Sequence, residues 1–91
     1  MFEWDRHNLR KIRAHRIQSE EAEQALRNNP IPVYEQDHAG EIRIVYYSQT
    51  DAGRLLAIVV TERRGRIRVV TAYDLDAGQK RDYLKWRFEG E

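Results

Sequence analysis

The spacing of hydrophobic residues at the start of the chain predicts a short helix. Asp5 is a favoured helix N-cap residue, and Trp4 and Leu9 occupy the two positions of a hydrophobic staple around it. Leu9 and Ile12 are three residues apart and therefore share one face of the helix. We expect this helix to begin after Asp5 and to bury that face.

A second helix is predicted after residues 15–18, where the hydrophobic spacing of the first helix breaks. Ser19 is a favoured N-cap residue, and the two glutamates that follow it are stabilising at the positive end of a helix dipole. The helix should run over about residues 20–27. It ends before Pro30, because a residue that precedes proline avoids the helical region of backbone space.

Four segments in the middle of the chain have the patterns of β-strands. Residues 31–34 include Pro32, which cannot donate a ladder hydrogen bond and therefore favours the edge of a sheet. Residues 42–47 alternate between two sets of side chains, which is typical of a strand with one buried face. Residues 55–60 are apolar throughout, as in a central strand covered on both faces. Residues 66–72 alternate again and form the fourth strand.

Turn residues separate these strands and make the last three consecutive and antiparallel. The turns are expected at residues 37–40, 50–53 and 63–65, each of which contains a glycine. Alternation along the last strand predicts which side chains share a face. We expect Ile67, Val69 and Thr71 on one face and Arg66, Arg68 and Val70 on the other.

A C-terminal helix completes the predicted elements. Asp76 is followed three residues later by Gln79, which is the spacing of a capping box, and the helix continues through Trp86. The order of elements is therefore two helices, four strands and a helix. We expect a single domain over residues 1–91, of the α+β class, with a mostly antiparallel four-stranded sheet.

Composition narrows the class of protein. The 91 residues are 41% hydrophobic and 34% charged, which suits one folded domain with a crowded charged surface. The chain has no cysteine, which excludes disulfides and thiolate metal sites. It has no apolar run of membrane-spanning length and no signal-peptide stretch at its start, so we expect a cytoplasmic protein without a membrane partner.

The distribution of charge is more informative than its total. The formal net charge is +1, but residues 54–91 contain nine Lys or Arg against six Asp or Glu. Of the 16 basic residues 13 are arginine, whose rigid fork of donors suits phosphate oxygens, although a GC-rich genome would produce the same bias. Cross-strand spacings of about 5 Å can bring guanidinium groups of neighbouring strands together. The arginines on or beside the predicted strands are Arg43, Arg54, Arg66 and Arg68.

Most catalytic chemistries lack support in the sequence. The three histidines, His7, His15 and His38, are too far apart for a pair of metal ligands on one helix. Ser19 and Ser48 are the only serines, and the first is expected to cap a helix, so a hydrolytic triad has little basis. The five glycines are dispersed and form no phosphate-binding loop. We therefore expect no metal ion and no cofactor.

RNA cleavage without a metal ion is the reaction that fits the remaining residue types. Such cleavage needs a group that deprotonates a 2′-hydroxyl, a group that protonates the leaving oxygen, and cations beside the scissile phosphate. His15, either Glu41 or Glu62, and the strand arginines supply these types. In an alternative interpretation Arg66 and Arg68 form a solvated sheet face paired with these glutamates. His15 then only interacts with the end of its helix.

Several short motifs, taken in order along the chain, resemble those of one protein family. The chain opens with Phe2-Glu3-Trp4-Asp5, followed by Asn8, by His15-Arg16-Ile17 and by Ser19-Glu20-Glu21-Ala22. Glu41-Ile42-Arg43, residues 50–56 and residues 67–72 come next, and Lys80-Arg81-Asp82-Tyr83 comes last. In this order the sequence resembles the BrnT-type toxins, the ribonuclease components of type II toxin-antitoxin pairs, over about residues 2–84.

The resemblance implies a RelE-like ribonuclease fold, inhibition of translation by RNA cleavage, and neutralisation by an antitoxin with a ribbon-helix-helix DNA-binding domain. It also implies the residues of an RNA site. His15 is expected in acid–base work, and Arg43, Arg54 and Arg68 are expected on phosphate. The other positions expected to bind RNA are Arg16, Arg66, Tyr73, Lys80 and Arg81. The oligomeric state is left open, with a homodimer as one expectation.

Two positions depart from the pattern of the family. The family usually has Lys-His-Gly where this chain has Ala14-His15-Arg16, and an arginine where this chain has Tyr73. Loss of a cation at both positions would weaken the stabilisation of charge on the phosphate, although Arg16 can replace one cation and Tyr73 can donate one hydrogen bond. The sequence therefore leaves open a non-catalytic module that binds RNA or a partner protein. An enzyme acting on a small molecule is a third alternative, with no motif in its support.

Overall fold

The computed structural model describes residues 2–89, which form three helices and a sheet of five strands. In chain order the elements are β1 (Phe2–Glu3), α1 (Arg6–Ala14), α2 (Ser19–Arg27), β2 (Ile31–His38), β3 (Glu41–Gln49), β4 (Leu55–Arg63), β5 (Arg66–Asp74) and α3 (Ala77–Glu89). The sheet has the order β1-β5-β4-β3-β2, in which β1 is parallel to β5 and the other neighbours are antiparallel. The predicted α+β class is confirmed, but the sheet has five strands rather than four.

The strand missing from the prediction is β1. It has only two residues, and it pairs Phe2 with Ile67 and Glu3 with Arg68 along β5. Two residues are too few to establish an alternating pattern, and each partner stands 65 residues later in the sequence. Local patterns therefore cannot predict this pairing, in which β1 lies along the outer edge of β5 near its first residues.

Helices cover the two faces of the sheet separately, and each face has its own apolar core. The core on the side of α1 and α2 consists of Ile12, Ile17, Ala25, Leu56, Ile58, Val60, Val69 and Ala72. The core on the side of α3 consists of Val45, Tyr47, Ala57, Val59, Val70, Leu75 and Tyr83. The strand β4 contributes to both cores, as predicted for a central strand covered on both faces.

Local capping explains the starts of α1 and α3. Asp5 caps α1, and its carboxylate accepts a hydrogen bond of 2.8 Å from the backbone N–H of Asn8. Asp76 and Gln79 exchange reciprocal hydrogen bonds of 2.8 and 2.9 Å before α3. Both predicted starts are confirmed. None of the helices within residues 2–89 is long and apolar enough to cross a membrane.

The prediction that Ser19 caps α2 is wrong, since the cap is Gln18. The backbone N–H of Gln18 donates to the Glu21 carboxylate at 2.9 Å. A capping box needs an acidic or amide side chain three residues after the cap. Glu21 has this spacing from Gln18, whereas Ala22 has it from Ser19 and offers no acceptor. Ser19 therefore becomes the first residue of the helix.

A β-bulge in β5 reverses the predicted direction of its last side chains. Arg68 lies opposite Thr61, whereas Tyr73 lies opposite Ala57 after a register shift of one residue. Because Thr61 and Ala57 are four residues apart on one strand, their partners Arg68 and Tyr73 share one face of the sheet, the face of α3. The predicted side of Thr71 is wrong for the same reason, because the shift comes before it.

Two hairpin turns consist of two residues each, Ala39-Gly40 and Arg64-Gly65. All four residues have positive φ, at +53° and +84° in the first turn and +53° and +75° in the second. Positive φ at both central residues defines a type I′ turn, whose twist matches that of the flanking strands. The first turn is shorter than the predicted range of residues 37–40, because β2 continues up to it.

Candidate functional site

The end of α1 meets the end of β5 at an exposed histidine. His15 is the C-cap residue of α1, and its ring centroid lies 6.2 Å from that of Tyr73 at an interplanar angle of 51°. His15 is exposed, whereas Tyr73 is half-buried. We call the group of residues around this contact the His15 corner. It consists of His15, Arg16, Glu21, Arg54, Tyr73, Asp74 and Lys80.

The backbone at the end of α1 presents His15 through a Schellman motif. The N–H of Ile17 donates to the Ile12 carbonyl at 3.0 Å, and the N–H of Arg16 donates to the Arg13 carbonyl at 2.9 Å. Arg16 takes the left-handed backbone conformation that this motif requires, with φ at +59°. Because that conformation favours glycine, the backbone of Arg16 is strained.

Arg54 connects the end of α1 to β5 through hydrogen bonds. Its Nε and Nη2 donate to the two carboxylate oxygens of Asp74 at 2.8 and 2.9 Å. Its Nη1 and Nη2 also donate to the backbone carbonyls of Arg16 and His15 at 2.9 and 3.2 Å, and Nη1 contacts the Glu21 carboxylate at 3.3 Å. These contacts engage all five N–H groups of the guanidinium. Arg54 therefore holds the His15 backbone, and a phosphate would have to displace one of these acceptors to bind its guanidinium.

Ion pairing sets the protonation states around Arg54. The hydrogen bonds from Arg54 to Asp74 raise the pKa of the guanidinium. The same hydrogen bonds hold the pKa of Asp74 below its ordinary value, and the charges of Lys80 and His15 lower it further. Asp74 is therefore a carboxylate at neutral pH. Lys80 stands in the first turn of α3, six residues after Asp74, and its charge acts on the Asp74 carboxylate.

Tyr73 is a proton donor at neutral pH. Burial raises the pKa of its phenol, and the neighbouring Tyr34 and Tyr47 raise it further. The hydroxyl therefore stays protonated and can donate to a hydrogen-bond acceptor or to a stronger base. The Tyr73 and His15 rings are neighbours, so the corner brings a ring that carries a proton donor next to a ring that can accept a proton.

A row of arginines crosses the same face of the sheet farther along the strands. Arg43, Thr61 and Arg68 are direct cross-strand partners on β3, β4 and β5, so their side chains share one face. Arg43 pairs with Glu41 at 3.3 Å, and Arg68 pairs with Asp5 at 2.7 Å. Each ion pair uses only part of the five N–H groups of its guanidinium, so other groups can contact a phosphate.

Asn8 positions Arg68 and is absent from the predicted site. Its side chain is buried, its Nδ2 donates to the Val70 carbonyl at 3.0 Å, and its Oδ1 accepts a bond of 3.4 Å from Arg68 Nε. These partners stand 62 and 60 residues from Asn8 in the sequence, so residue spacing cannot reveal them. The carboxylates of Asp74 and Glu21 in the His15 corner are missing from the prediction for the same reason.

The structure divides all but one of the residues predicted for the RNA site into two groups. The His15 corner contains His15, Arg16, Arg54, Tyr73 and Lys80, whereas Arg43, Arg66 and Arg68 lie toward the other end of the sheet. The two groups are about 13 Å apart along the strands. Tyr47 is level with Tyr73 across the sheet, and Arg43 stands four residues before Tyr47 on β3. Arg81 is exposed on α3.

Within residues 2–89, no three His, Asp or Glu side chains form a cluster that could hold a metal ion.

One protein family has a sequence model that matches residues 4–78, and the family is described as "Ribonuclease toxin, BrnT, of type II toxin-antitoxin system". No curated protein matches the chain. The matched region runs from Trp4, before α1, to Gly78 in the first turn of α3. It therefore contains α1, α2, the strands β2 to β5 and every residue of the His15 corner except Lys80.

Proposed function

The chain belongs to the BrnT family of ribonuclease toxins of type II toxin-antitoxin systems, and from this premise we propose that it cleaves RNA at the His15 corner without a metal ion and thereby inhibits translation. Membership of the family implies an antitoxin partner. The observation that carries the proposal is the exposed imidazole of His15 against the protonated phenol of Tyr73, with the Lys80 ammonium nearby. A base, an acid and a cation are the groups that RNA cleavage needs when no metal supplies them.

The proposed reaction is a transfer within the RNA strand. The neutral imidazole of His15 takes the proton of a 2′-hydroxyl, whose oxygen attacks the adjacent phosphorus. The bond between phosphorus and the 5′ oxygen breaks, and this oxygen takes the proton of the Tyr73 hydroxyl. The ammonium of Lys80 stabilises the charge that builds on the phosphate. The products are a 2′,3′-cyclic phosphate and a 5′-hydroxyl end. The imidazolium of His15 then loses its proton to solvent, and the phenolate of Tyr73 takes one from solvent.

Arg54 acts in this proposal through the His15 backbone and not through the phosphate. Its contacts with the carbonyls of His15 and Arg16 fix the position of the imidazole. Arg16 is an exposed cation that can meet a phosphate beside the corner. Arg43 and Arg68 lie about 13 Å away along the strands, where they would contact phosphates that flank the cleaved bond.

We propose a ribbon-helix-helix DNA-binding domain for the antitoxin, as the resemblance to the family implies. A neighbouring reading frame that encodes such a domain, and whose product binds this chain during purification, would support the assignment. A neighbouring product of another fold would contradict it. A homodimer stays a prediction, which the mass of the purified protein in solution tests.

Cleavage of purified RNA in EDTA tests the proposed reaction. The wild-type protein should produce fragments with the two kinds of end given above, and His15→Ala should lower the rate by about 10²-fold or more. His7→Ala is the matched control, because His7 is an exposed histidine on the same helix, and it should leave the rate unchanged. Tyr73→Phe should lower the rate while it keeps the ring beside His15.

Equal cleavage by the His15→Ala and His7→Ala proteins would contradict the site. An absolute need for a divalent cation would contradict the metal-independent reaction. Cell-free synthesis of a reporter protein tests the effect on translation with the same variants. The wild-type and His7→Ala proteins should stop synthesis, and the His15→Ala protein should not.

A non-catalytic module that binds RNA or a partner protein is the second candidate, and the internal pairing of the arginines favours it. Arg54 has all five N–H groups engaged, and Arg43 and Arg68 each pair with a carboxylate. Under this alternative the wild-type protein binds RNA with an affinity that falls steeply with salt, and the RNA stays intact. Antitoxin binding without RNA binding would point to a purely protein partner.

A further inference from the structure

The tip of the β4–β5 hairpin brings three arginines together. Arg63 lies directly opposite Arg66, and Arg64 is in the two-residue turn between them. We call these three residues the hairpin tip. Together with Glu3 they line a cavity of about 350 Å³. The three arginines are exposed, whereas Glu3 on β1 is half-buried.

The positive charge of the hairpin tip exceeds the negative charge of the described residues that line the same cavity. Like charges directly opposite each other on neighbouring strands are destabilising, and Arg63 and Arg66 form such a pair. Within residues 2–89, no ion pair of 4.0 Å or less joins the hairpin tip to a carboxylate. Glu3 is the one carboxylate among the described residues that line the cavity. Three guanidinium groups around one carboxylate leave a cationic cavity, and the guanidinium fork matches phosphate oxygens.

We propose that the hairpin tip binds the phosphate backbone of the RNA substrate at a subsite remote from the His15 corner. This inference rests on the proposed function for the identity of its ligand. Arg66, Arg68 and Tyr73 lie on one face of β5, and the distance from Arg66 to Tyr73 along the strand is about 20 Å. An RNA strand bound at the His15 corner therefore has to extend by about 20 Å, past Arg68, to reach the hairpin tip.

The subsite makes RNA affinity depend on the length of the strand. An RNA long enough to reach the hairpin tip gains its phosphate contacts, whereas a short RNA at the corner does not. The logarithm of RNA affinity falls linearly with the logarithm of salt concentration. For a single strand, each phosphate that a cation neutralises makes this slope steeper by about 0.7. Loss of Arg63 and Arg66 should therefore reduce that slope by about 1.4 for a long RNA.

The experiment measures the binding of a fluorescent RNA dodecamer and tetramer by anisotropy over a range of salt concentrations. Every protein carries His15→Ala, so that the RNA stays intact. Arg63→Ala/Arg66→Ala is compared with Arg6→Ala/Arg10→Ala, which removes the same charge from exposed positions of α1 that do not line the cavity. The hairpin variant should reduce the dodecamer slope by about 1.4, and the control should leave it unchanged. The tetramer should bind both variants alike.

Charge-preserving substitution keeps the test independent of folding. Arg63→Lys/Arg66→Lys retains both cations and should restore most of the dodecamer slope, although the bidentate geometry is lost. An unchanged slope in the alanine variant would overturn the proposal, and so would an equal change in the α1 control. Loss of antitoxin binding with unchanged RNA binding would assign the hairpin tip to a protein interface and overturn the proposal as well.

Cleavage is scored in parallel with the protein that retains His15, on the same dodecamer in EDTA. The expected change in slope without any cleavage would count against the proposed reaction alone. Cleavage with an unchanged slope would count against the hairpin subsite alone. The two failures are therefore distinguishable.

Discussion

Replacement of Arg16 by glycine should stabilise the protein. Arg16 holds φ at +59° as the residue after the cap in the Schellman motif of α1. A residue with a Cβ loses about 1–2 kcal/mol in this left-handed conformation. Glycine avoids that cost but gives up about 0.5–1 kcal/mol more backbone entropy on folding than alanine does. The difference predicts that Arg16→Gly raises the free energy of unfolding by about 0.5–1 kcal/mol.

Urea unfolding at neutral pH measures this gain, and thermal melting should show a rise of about 2–8 °C for a chain of this size. Arg16→Ala is the control, because it removes the same exposed side chain but keeps a Cβ, and its stability should stay within about 0.5 kcal/mol of wild type. A glycine variant no more stable than the alanine variant would refute the reasoning. Both variants should lose the same amount of RNA affinity, since both lack the Arg16 cation.

Three further predictions concern an ion pair, the core and a turn. Asp74→Asn should lower stability at neutral pH, and lower it less at about pH 3. The pKa of Asp74 is lower in the folded than in the unfolded protein, so its pair with Arg54 stabilises fully above about pH 4, and this stabilisation is lost as pH falls through the folded pKa. Urea unfolding at both pH values checks this, and an equal deficit at both would contradict it. Tyr83→Phe should leave stability unchanged or raise it by about 1 kcal/mol, because the buried Tyr83 hydroxyl has no hydrogen-bond partner within residues 2–89. Thermal melting measures this, and a clear loss would reveal a partner. Ala39→Asn should raise the melting temperature, since Asn-Gly is the preferred pair for a type I′ turn, and a decrease would mean that the turn has another geometry.

The starts of α1 and α3 and the positions of the turns could be predicted because their signals lie within a few residues. Asp5 and Asp76 each cap a helix through a residue three positions later. Pro32 predicts an edge strand, and β2 is the edge of the sheet. The strand β1 and the bulge in β5 depend on pairing between distant segments, which no local pattern records. The bulge has the larger consequence, because it turns Tyr73 to the face that carries Arg68.

The candidate site could be predicted only in part. Neighbouring strands were expected to bring Arg43 and Arg68 together, and the observed strand register places them on one face of the sheet. His15 stands at the end of a helix, as expected. Arg54 lies apart from this row, because its partners stand 20 and 33 residues away and fold it against α1 and α2. The sequence contains one sign that another residue positions Arg68. Asn8 is a polar residue beside the apolar stripe of a helix, and its side chain accepts a hydrogen bond from Arg68. Such a residue is buried only with hydrogen-bond partners, but their identity requires the fold.

The charges of the His15 corner imply that RNA affinity and RNA cleavage depend on different parts of the surface. The corner has three cations and two carboxylates, so its net charge is +1 when His15 is neutral. Both carboxylates, those of Glu21 and Asp74, form ion pairs with Arg54. The hairpin tip has three cations against Glu3. Arg43 and Arg68 each pair with a carboxylate. Because phosphate affinity and its salt dependence grow with the number of phosphates that cations neutralise, most of the salt-dependent affinity should come from the hairpin tip. Rising salt concentration should therefore raise the KM for a long RNA far more than it lowers kcat. A kcat that falls in parallel with affinity would place the essential cations at the corner instead.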